Sequence, residues 1–255
     1  MSNQINNSET NLSASNGQST VSKNRNRLGL LNQLFEDKYP DEVLKWGFKE
    51  FGQKMVLGTG FGPSGVFLIH RLHQLGLKTP VFYLDTNLHF NETYELHKRL
   101  EDKLGISIQK VTPVLSLQEQ ADRFGDNLWE SNPNRCCFIR KVRPLRRYLN
   151  DKEAWITGIR RSQSESRKNT KVIEYDSECD VIKINPVAAW SNEQLWDYIH
   201  EYDLPYNPLH DDGFPSIGCI PCTQPVSEGE DERAGRWKDN DKTECGIHLP
   251  AQTGT

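Results

Sequence analysis

Six cysteines stand in the 255-residue sequence, and their spacing sorts them by chemistry. Cys136 and Cys137 are adjacent, Cys219 and Cys222 form a C-x-x-C, and Cys179 and Cys245 stand alone. Vicinal cysteines rarely bridge each other because the ring is strained, and disulfides are disfavoured in a reducing compartment. A metal site is the better reading of the two pairs. Structural zinc usually draws its thiolates from short knuckles, and a C-C pair is awkward for two ligands on one small ion. An iron–sulfur cluster spaces its iron corners apart, so neighbouring cysteines can each reach a different iron. Geometry favours the cluster, with zinc as the alternative. Cys179, set between acids in YDSECDV, is a bystander, because neighbouring negative charge dulls a thiol. Cys245, in KTECGIHL close to a polar C-terminus, needs a chemical use if it is exposed.

Charge is placed with equal selectivity. The stretch RCCFIRKVRPLRR (135–147) holds Arg135, Arg140, Lys141, Arg143, Arg146 and Arg147 without one acid, while acids gather in EGEDE (228–232). Cations around the cysteine pair offset the cost of holding an anionic thiolate cluster out of water. Lys141 falls one helical turn beyond Cys137, whereas Arg146 and Arg147 suit a solvated helix face. The formal net charge of −4 argues against a general nucleic-acid binder. A local cationic site on a mildly acidic chain suits a small anionic substrate.

The elements that must position these groups alternate. Two amphipathic helices, LGLLNQLFEDKY and DEVLKWGFKEFG, precede the strand KMVLGT, the helix PSGVFLIHRLHQLG, the strand PVFYLDT, the helix NETYELHKRLEDKLG closed by Gly105, and the strand ISIQKVT. WITGI supplies a fourth strand and VIKINPV a fifth. This rhythm predicts an α/β fold with a doubly wound parallel sheet, its ligands outside the carboxyl ends of the strands, in the loops after Leu57, Leu84 and Ile159. SNEQLWDYIHEYDLP opens on a capping pattern, Ser191 and Gln194, and stops before Pro205. The loop GTGFGPSG (58–65), with four glycines ahead of a helix, suits phosphate, and equally a tight βα turn, since it lacks the P-loop lysine. Asp85 and Thr86, at the tip of the second strand, read either as acceptors for a ribose hydroxyl or as a cap.

Residues 1–26, rich in Asn and Ser, cannot offset the entropy of ordering and are expected to be a disordered extension. Residues 27–240 form the catalytic domain and 241–255 a flexible tail carrying Cys245. No apolar run approaches membrane-spanning length and no secretory signal is visible, so a cytoplasmic location without membrane association is expected.

Together, LDTNLHFNETYEL, RCCFIRKVRPL, WITGIRRSQSESR, NPLHDDGFPSIGCIPCTQPV, GEDERAGRW and ECGIHL resemble the iron–sulfur form of the adenylyl-sulfate reductase family of assimilatory sulfate reduction, across most of 45–249. The resemblance implies an adenine nucleotide alpha hydrolase-like fold and a 4Fe–4S cluster on Cys136, Cys137, Cys219 and Cys222. It implies Cys245 as the nucleophile that takes up sulfonate from adenylyl sulfate, and a thioredoxin or glutaredoxin-like thiol that then releases sulfite. Thr59, Lys141, Arg160, Arg161, Arg233, Arg236 and His248 are the candidate substrate contacts, together with Asp85. Arg233 and Arg236 read alternatively as surface ion-pair partners of the 230–232 acids, and His248 as a solvated tail residue. The chain departs from many relatives in the first glycine loop, where Gly62, Pro63, Ser64 and Gly65 replace an acidic run. Having both cysteine pairs points to adenylyl sulfate over its 3′-phosphorylated form, with a dual-substrate enzyme as the alternative. An ATP-dependent thiolation enzyme would need an aspartate that GTGFGPSG lacks, and a nucleic-acid module using RKVRPLRR is opposed by the overall acidity. A homo-oligomer stays open.

Overall fold

The five strands expected from the apolar runs line up side by side, four of them buried almost throughout and the edge strand from ISIQKVT buried only at its two ends. The computed structural model describes residues 19–227, 229–238 and 242–248. Its sheet has six strands: β1 (Met55–Thr59), β2 (Val81–Leu84), β3 (Ile108–Val111), β4 (Ala154–Ile156), β5 (Ile173–Asp176) and β6 (Val181–Ile184), in the spatial order β3-β2-β1-β4-β6-β5. All neighbours are parallel except β5, which returns antiparallel along β6 at the sheet edge. The extra strand is the one the sequence reading left out. Its alternation, with only Ile173 fully buried, is weak, and it closes a hairpin through a turn in which Asp180 takes a positive φ.

Helices cover both faces. Ahead of the sheet come α1 (Thr20–Arg25), α2 (Leu28–Phe35) and α3 (Pro40–Phe51); α4 (Pro63–Gln74) follows β1 and α5 (Asn91–Leu104) follows β2. The αL residue Gly105 ends α5, with its N–H bonded to the Glu101 carbonyl, as the sequence predicted. After β3 come α6 (Leu117–Phe124), α7 (Leu128–Ser131), α8 (Pro133–Cys137) and α9 (Arg143–Leu149), and α10 (Asn192–Glu201) follows β6. The predicted capping box is present on α10, Ser191 Oγ accepting from the Gln194 N–H and the Gln194 side chain accepting from the Ser191 N–H.

The main core lies between the sheet and the layer that holds α3, α4 and α10, with Val43, Leu57, Phe67, Leu68, Ile156, Ile184 and Leu195 among its fully enclosed side chains. A smaller core of Val56, Phe82, Leu145, Leu149 and Trp155 backs the other face under α9. The close approach of α4 to β1 depends on Gly65, where an added Cβ would stand 2.4 Å from Thr59 Oγ1. Among the described residues, no helix is long and apolar enough to cross a membrane.

The described parts of the chain ends make contacts that composition alone did not show. Residues 1–18, most of the segment expected to be disordered, lie outside the described residues, but 20–25 form α1, with Val21 and Asn24 buried. Asn24 donates to the Thr20 carbonyl and to Glu50, so local capping and one ion-pair contact, Lys23 to Glu50, order a stretch that hydropathy dismissed. At the other end, residue 241 and 249–255 of the expected flexible tail are outside the described residues; 242–248 pack onto the domain, with Glu244 and Cys245 buried.

Candidate active site

The strand order reverses direction at β1, whose neighbours are β2 on one side and β4 on the other, and the loops leaving β1 and β4 therefore diverge and leave a crevice. That crevice holds a cleft. Its walls are the glycine loop 58–65, the carboxyl end of β2, residues 157–160 after β4, and Arg233, Arg236, Cys245 and His248 from the C-terminal region. In the glycine loop Phe61 takes a φ of 59°, a left-handed conformation that costs a bulky residue energy, and its N–H donates to Thr59 Oγ1 at 2.9 Å. Thr59 thus faces the cleft and also fixes the loop that forms its floor.

Of the expected cations, Lys141, Arg160, Arg233 and Arg236 line the cleft. Arg160 is 2% exposed, and every part of its guanidinium is used: Ser64 Oγ at 3.3 Å, Ser162 Oγ at 2.9 Å, Asn192 Oδ1 at 3.1 Å and Glu232 Oε2 at 2.9 Å. Burial lowers its pKa while Glu232 counteracts the shift. Arg233 and Arg236 share a turn closed by the Arg236 N–H to the Arg233 carbonyl at 2.9 Å, and both reach the cleft from it. Arg236 donates from Nε to the Cys222 carbonyl at 3.1 Å, and its guanidinium lies against Gly218, where a Cβ would stand 2.5 Å from Cζ. Burial and the neighbouring Arg167 depress Arg233 to about 10, so it remains a cation at neutral pH.

Two of the expected contacts stand away from the cleft. Asp85 is buried but does not line the cleft: its carboxylate accepts from Tyr94 Oη at 2.7 Å and the Asn87 N–H at 2.8 Å, and pairs with Lys110 Nζ at 3.0 Å. Burial alone would raise its pKa, and these donors outweigh it and lower it. The carboxylate holds the turn after β2, as the capping alternative had it. Arg161 also lies outside the cleft, forked onto Glu36 at 2.5 and 3.0 Å and onto the Thr170 carbonyl at 2.8 Å. Adjacent positions in a turn point apart, which is why Arg160 reaches the cleft and Arg161 does not.

His248 enters the cleft wall and stacks on Trp155, ring centroids 5.3 Å apart and planes 11° apart. Burial, with Lys183 and Arg167 adding to it, lowers its pKa well below the usual histidine value, so the ring is neutral, and Nδ1 has no partner among the described residues. Three groups were missed by the sequence reading. Arg167 and Trp155 line the cleft, and Glu244 is ion-paired to Arg167 at 2.6 Å and Arg233 at 3.2 Å. Arg167 stands within the quoted WITGIRRSQSESR and Glu244 directly before Cys245, but nothing local distinguishes them from surface charge.

A second, small cavity adjoins the first. Cys136, Cys137, Cys219 and Cys222 all line it, with Leu88, Trp129, Pro133, Arg140 and Lys141. The adjacent pair sits at the end of α8, which Asn132 caps through Arg135 N–H at 2.9 Å, and the helix passes at once into a π-helical turn, Phe138–Val142. Arg140, 1% exposed, ties this turn to the loop after β2 by donating to the Thr86 carbonyl at 2.6 Å and to Asn87 Oδ1 at 3.2 Å. The second pair is fastened to the same loop: the Ile220 N–H donates to the Leu88 carbonyl at 2.8 Å, and Cys219 Sγ meets Thr86 Oγ1 at 3.2 Å. Burial, with the other thiols adding to it, pushes Cys136 up to about 12; burial pushes Cys137 up to about 11. Lys141 lines both cavities. Burial would lower its pKa, but the sulfurs of Cys219, Cys245 and Cys137 outweigh that and hold it above the usual lysine value. Cys179 lies apart in the β5–β6 turn, its thiol pushed up to about 12 by burial and Asp176. Arg146 and Arg147 are exposed, the first paired with Glu178, the second donating to the Thr112 carbonyl.

Comparison with known proteins places this geometry. The family model described as a phosphoadenosine phosphosulfate reductase domain matches residues 54–225. The adenosine 5′-phosphosulfate reductase of Salinibacter ruber (strain DSM 13855 / M31) is 52% identical over 223 residues, covering 87% of this chain and 88% of the relative. Among solved structures, the phosphoadenylyl-sulfate (PAPS) reductase from Candida auris, a phosphate complex, superposes with a TM-score of 0.67 at 32% identity, covering 79% of this chain and 97% of the other. The FMN adenylyltransferase of Candida glabrata in complex with FAD and inorganic pyrophosphate superposes with a TM-score of 0.54 at 14% identity, covering 91% of this chain and 78% of the other, a likeness of fold alone. A sheet that opens its crevice between β1 and β4, in a chain matched over most of its length by these sequences, identifies the chain as a member of the phosphoadenosine phosphosulfate reductase family.

Proposed function

We propose that the chain reduces adenylyl sulfate to sulfite and AMP, with Cys245 as the nucleophile. The observation that carries the reading is that Lys141 belongs to two walls at once, that of the strand-end cleft and that of the cavity ringed by four thiols, with Cys245 beside it. In the first step the Cys245 thiolate attacks the sulfur of the mixed anhydride; the S–S bond forms, the S–O bond to the phosphate breaks, and AMP leaves with the electron pair. An external dithiol, of thioredoxin or glutaredoxin type, then attacks Cys245 Sγ, releases sulfite and is itself oxidised to the disulfide, so both electrons come from the dithiol. Adenylyl sulfate is a dianion, and a thiolate approaching it is repelled unless cations face both. Lys141, Arg233 and Arg236 supply them from the cleft wall. Thr59 and the backbone of the glycine loop receive the nucleotide, and neutral His248, with Nδ1 unpartnered, donates a ring N–H to a phosphate oxygen.

Among the described residues no three His, Cys, Asp or Glu side chains converge tightly enough to hold one metal ion. Four thiols around one cavity are nevertheless the donor set of a 4Fe–4S cluster, whose irons each need one thiolate. Cys136, Cys137, Cys219 and Cys222 would hold it; when bound, it supplies a fixed charged wall next to Lys141 and no electrons. A reducing, cytoplasmic setting suits six cysteines of which none is paired as a disulfide. Adenylyl sulfate is favoured over the 3′-phosphorylated nucleotide because the relatives at 46–52% identity carry the former in their names and the 32% identical structure the latter. The deciding experiment is sulfite release by anaerobically purified protein with thioredoxin, supplied with either nucleotide. Sulfite from adenylyl sulfate at a kcat/KM at least about a hundredfold above the other is expected, about the discrimination a pocket achieves against an added polar group. Equal rates, or none with adenylyl sulfate, would overturn the assignment.

A further inference from the structure

The segment 242–248 carries Cys245 to the cleft, yet among the described residues it makes no backbone–backbone hydrogen bond to the rest of the chain. Its placement therefore rests on side chains. His248 stacks on Trp155, Lys242 reaches Asn134, and Gly246, at a φ of +88°, turns the chain directly after the cysteine. Glu244 makes the strongest hold. Its carboxylate, 4% exposed, accepts from Arg167 Nε at 2.6 Å and Nη2 at 2.8 Å, from Arg233 Nη2 at 3.2 Å, and from Ser166 Oγ at 3.4 Å. Arg233 adds a bond to the Thr243 carbonyl at 3.2 Å. A carboxylate forked between two guanidinium groups and shielded from water is directional and hard to replace by solvent.

Building on the reaction proposed above, we infer that Glu244 is the positioning residue that seats Cys245 over the cleft, by clasping Arg167 and Arg233. Both arginines line the cleft. While the clasp is closed the single carboxylate offsets one of the two guanidinium charges and leaves net positive charge on the cleft wall, and when the segment lifts away to meet a reductant both charges are returned to the cleft. The clasp therefore couples the place of the thiol to the charge of the crevice. Removing the carboxylate loosens the thiol without weakening the nucleotide's hold, a combination that general damage to the fold would not produce.

The test uses anaerobic holoprotein. Alkylation of Cys245 by iodoacetamide, followed by mass spectrometry of its peptide, reads the seating directly. Glu244→Gln is expected to accelerate alkylation by about tenfold or more, Arg167→Ala to do the same, and the double variant to add little beyond either, because all break one contact. In single-turnover experiments Glu244→Gln slows sulfonation of Cys245 by about tenfold, while the dissociation constant for AMP stays equal or falls. Unchanged alkylation and sulfonation in Glu244→Gln, or single effects that simply add in the double variant, would overturn the inference. If Glu244→Gln does not fold, Arg167→Ala reads the same contact from the other side. Alkylation does not depend on Cys245 being the nucleophile, so a wild-type protein that never gains sulfonate mass sinks the proposed reaction and leaves the clasp standing on its own measurement.

Discussion

A cation that faces a reacting group is worth far more in a walled cleft than at a surface, since water no longer screens it. Lys141 is half-buried and, among the described residues, unpaired by any carboxylate, whereas Arg160 is fully occupied by Glu232, Asn192 and two serines. The two residues therefore answer differently to substitution. Lys141→Ala should lower kcat/KM for sulfite release by about a hundredfold, the cost of one preorganised charge, with iron content unchanged. Arg160→Ala should chiefly reduce stability, because it strands Glu232 and opens space around Ser64. Cys245→Ser is expected to bind AMP as the wild type does and to release no sulfite; any sulfite above background from that variant, assayed with thioredoxin, would remove Cys245 from the reaction.

Elements set where these side chains can stand. The π-helical turn Phe138–Val142 inserts an extra residue into the run from α8 to α9, so that Arg140 points inward to the Thr86 carbonyl while its neighbour Lys141 reaches the shared wall of both cavities. On the other face, α4 and α10 are joined by His70 Nδ1 and Tyr198 Oη, 2.8 Å apart in the core. Burial, together with Arg71 and His73, lowers His70 to about 4. A histidine depressed in the folded state binds its proton more readily unfolded, so stability is complete above about pH 6.5 and declines as the pH falls towards 4. The decline attributable to His70 is at most about 3 kcal/mol. Urea midpoints at pH 7 and pH 5 should differ less in His70→Gln than in the wild type; an equal difference would place the acid sensitivity elsewhere.

At the scale of the molecule, α8 and the loop carrying Cys219 and Cys222 come from distant parts of the chain and meet at the cavity of thiols through a few bonds to the loop after β2. A cluster bound to all four thiolates would cross-link them, and its binding energy would then count toward folding. Removal of iron by oxidation and chelation is expected to lower the unfolding temperature by about 5 °C or more, measured by scanning calorimetry, alongside loss of brown absorbance; Cys137→Ala should start from the lowered value. A colourless preparation with unchanged melting would dissociate the thiols from any such group.

Five strands, the main covering helices and the Gly105 and Ser191 caps were legible in the sequence itself, because apolar periodicity and capping residues are local properties written in order along the chain. Composition gave no sign of the contacts made by residues 20–25 and 242–248, which come from partners far away in sequence, Glu50 for the one and Arg167 for the other. The tertiary structure alone decided which charges face the cleft. Arg160 and Arg161 are adjacent and equally basic, yet one lines the crevice and the other is spent on Glu36; Asp85 ends a strand at the right edge but is consumed by Tyr94 and Lys110. Whether a charge is free for a ligand depends on which opposite charge the fold brings within hydrogen-bonding distance, and that pairing is made across the sheet between segments that carry no record of each other in their local pattern.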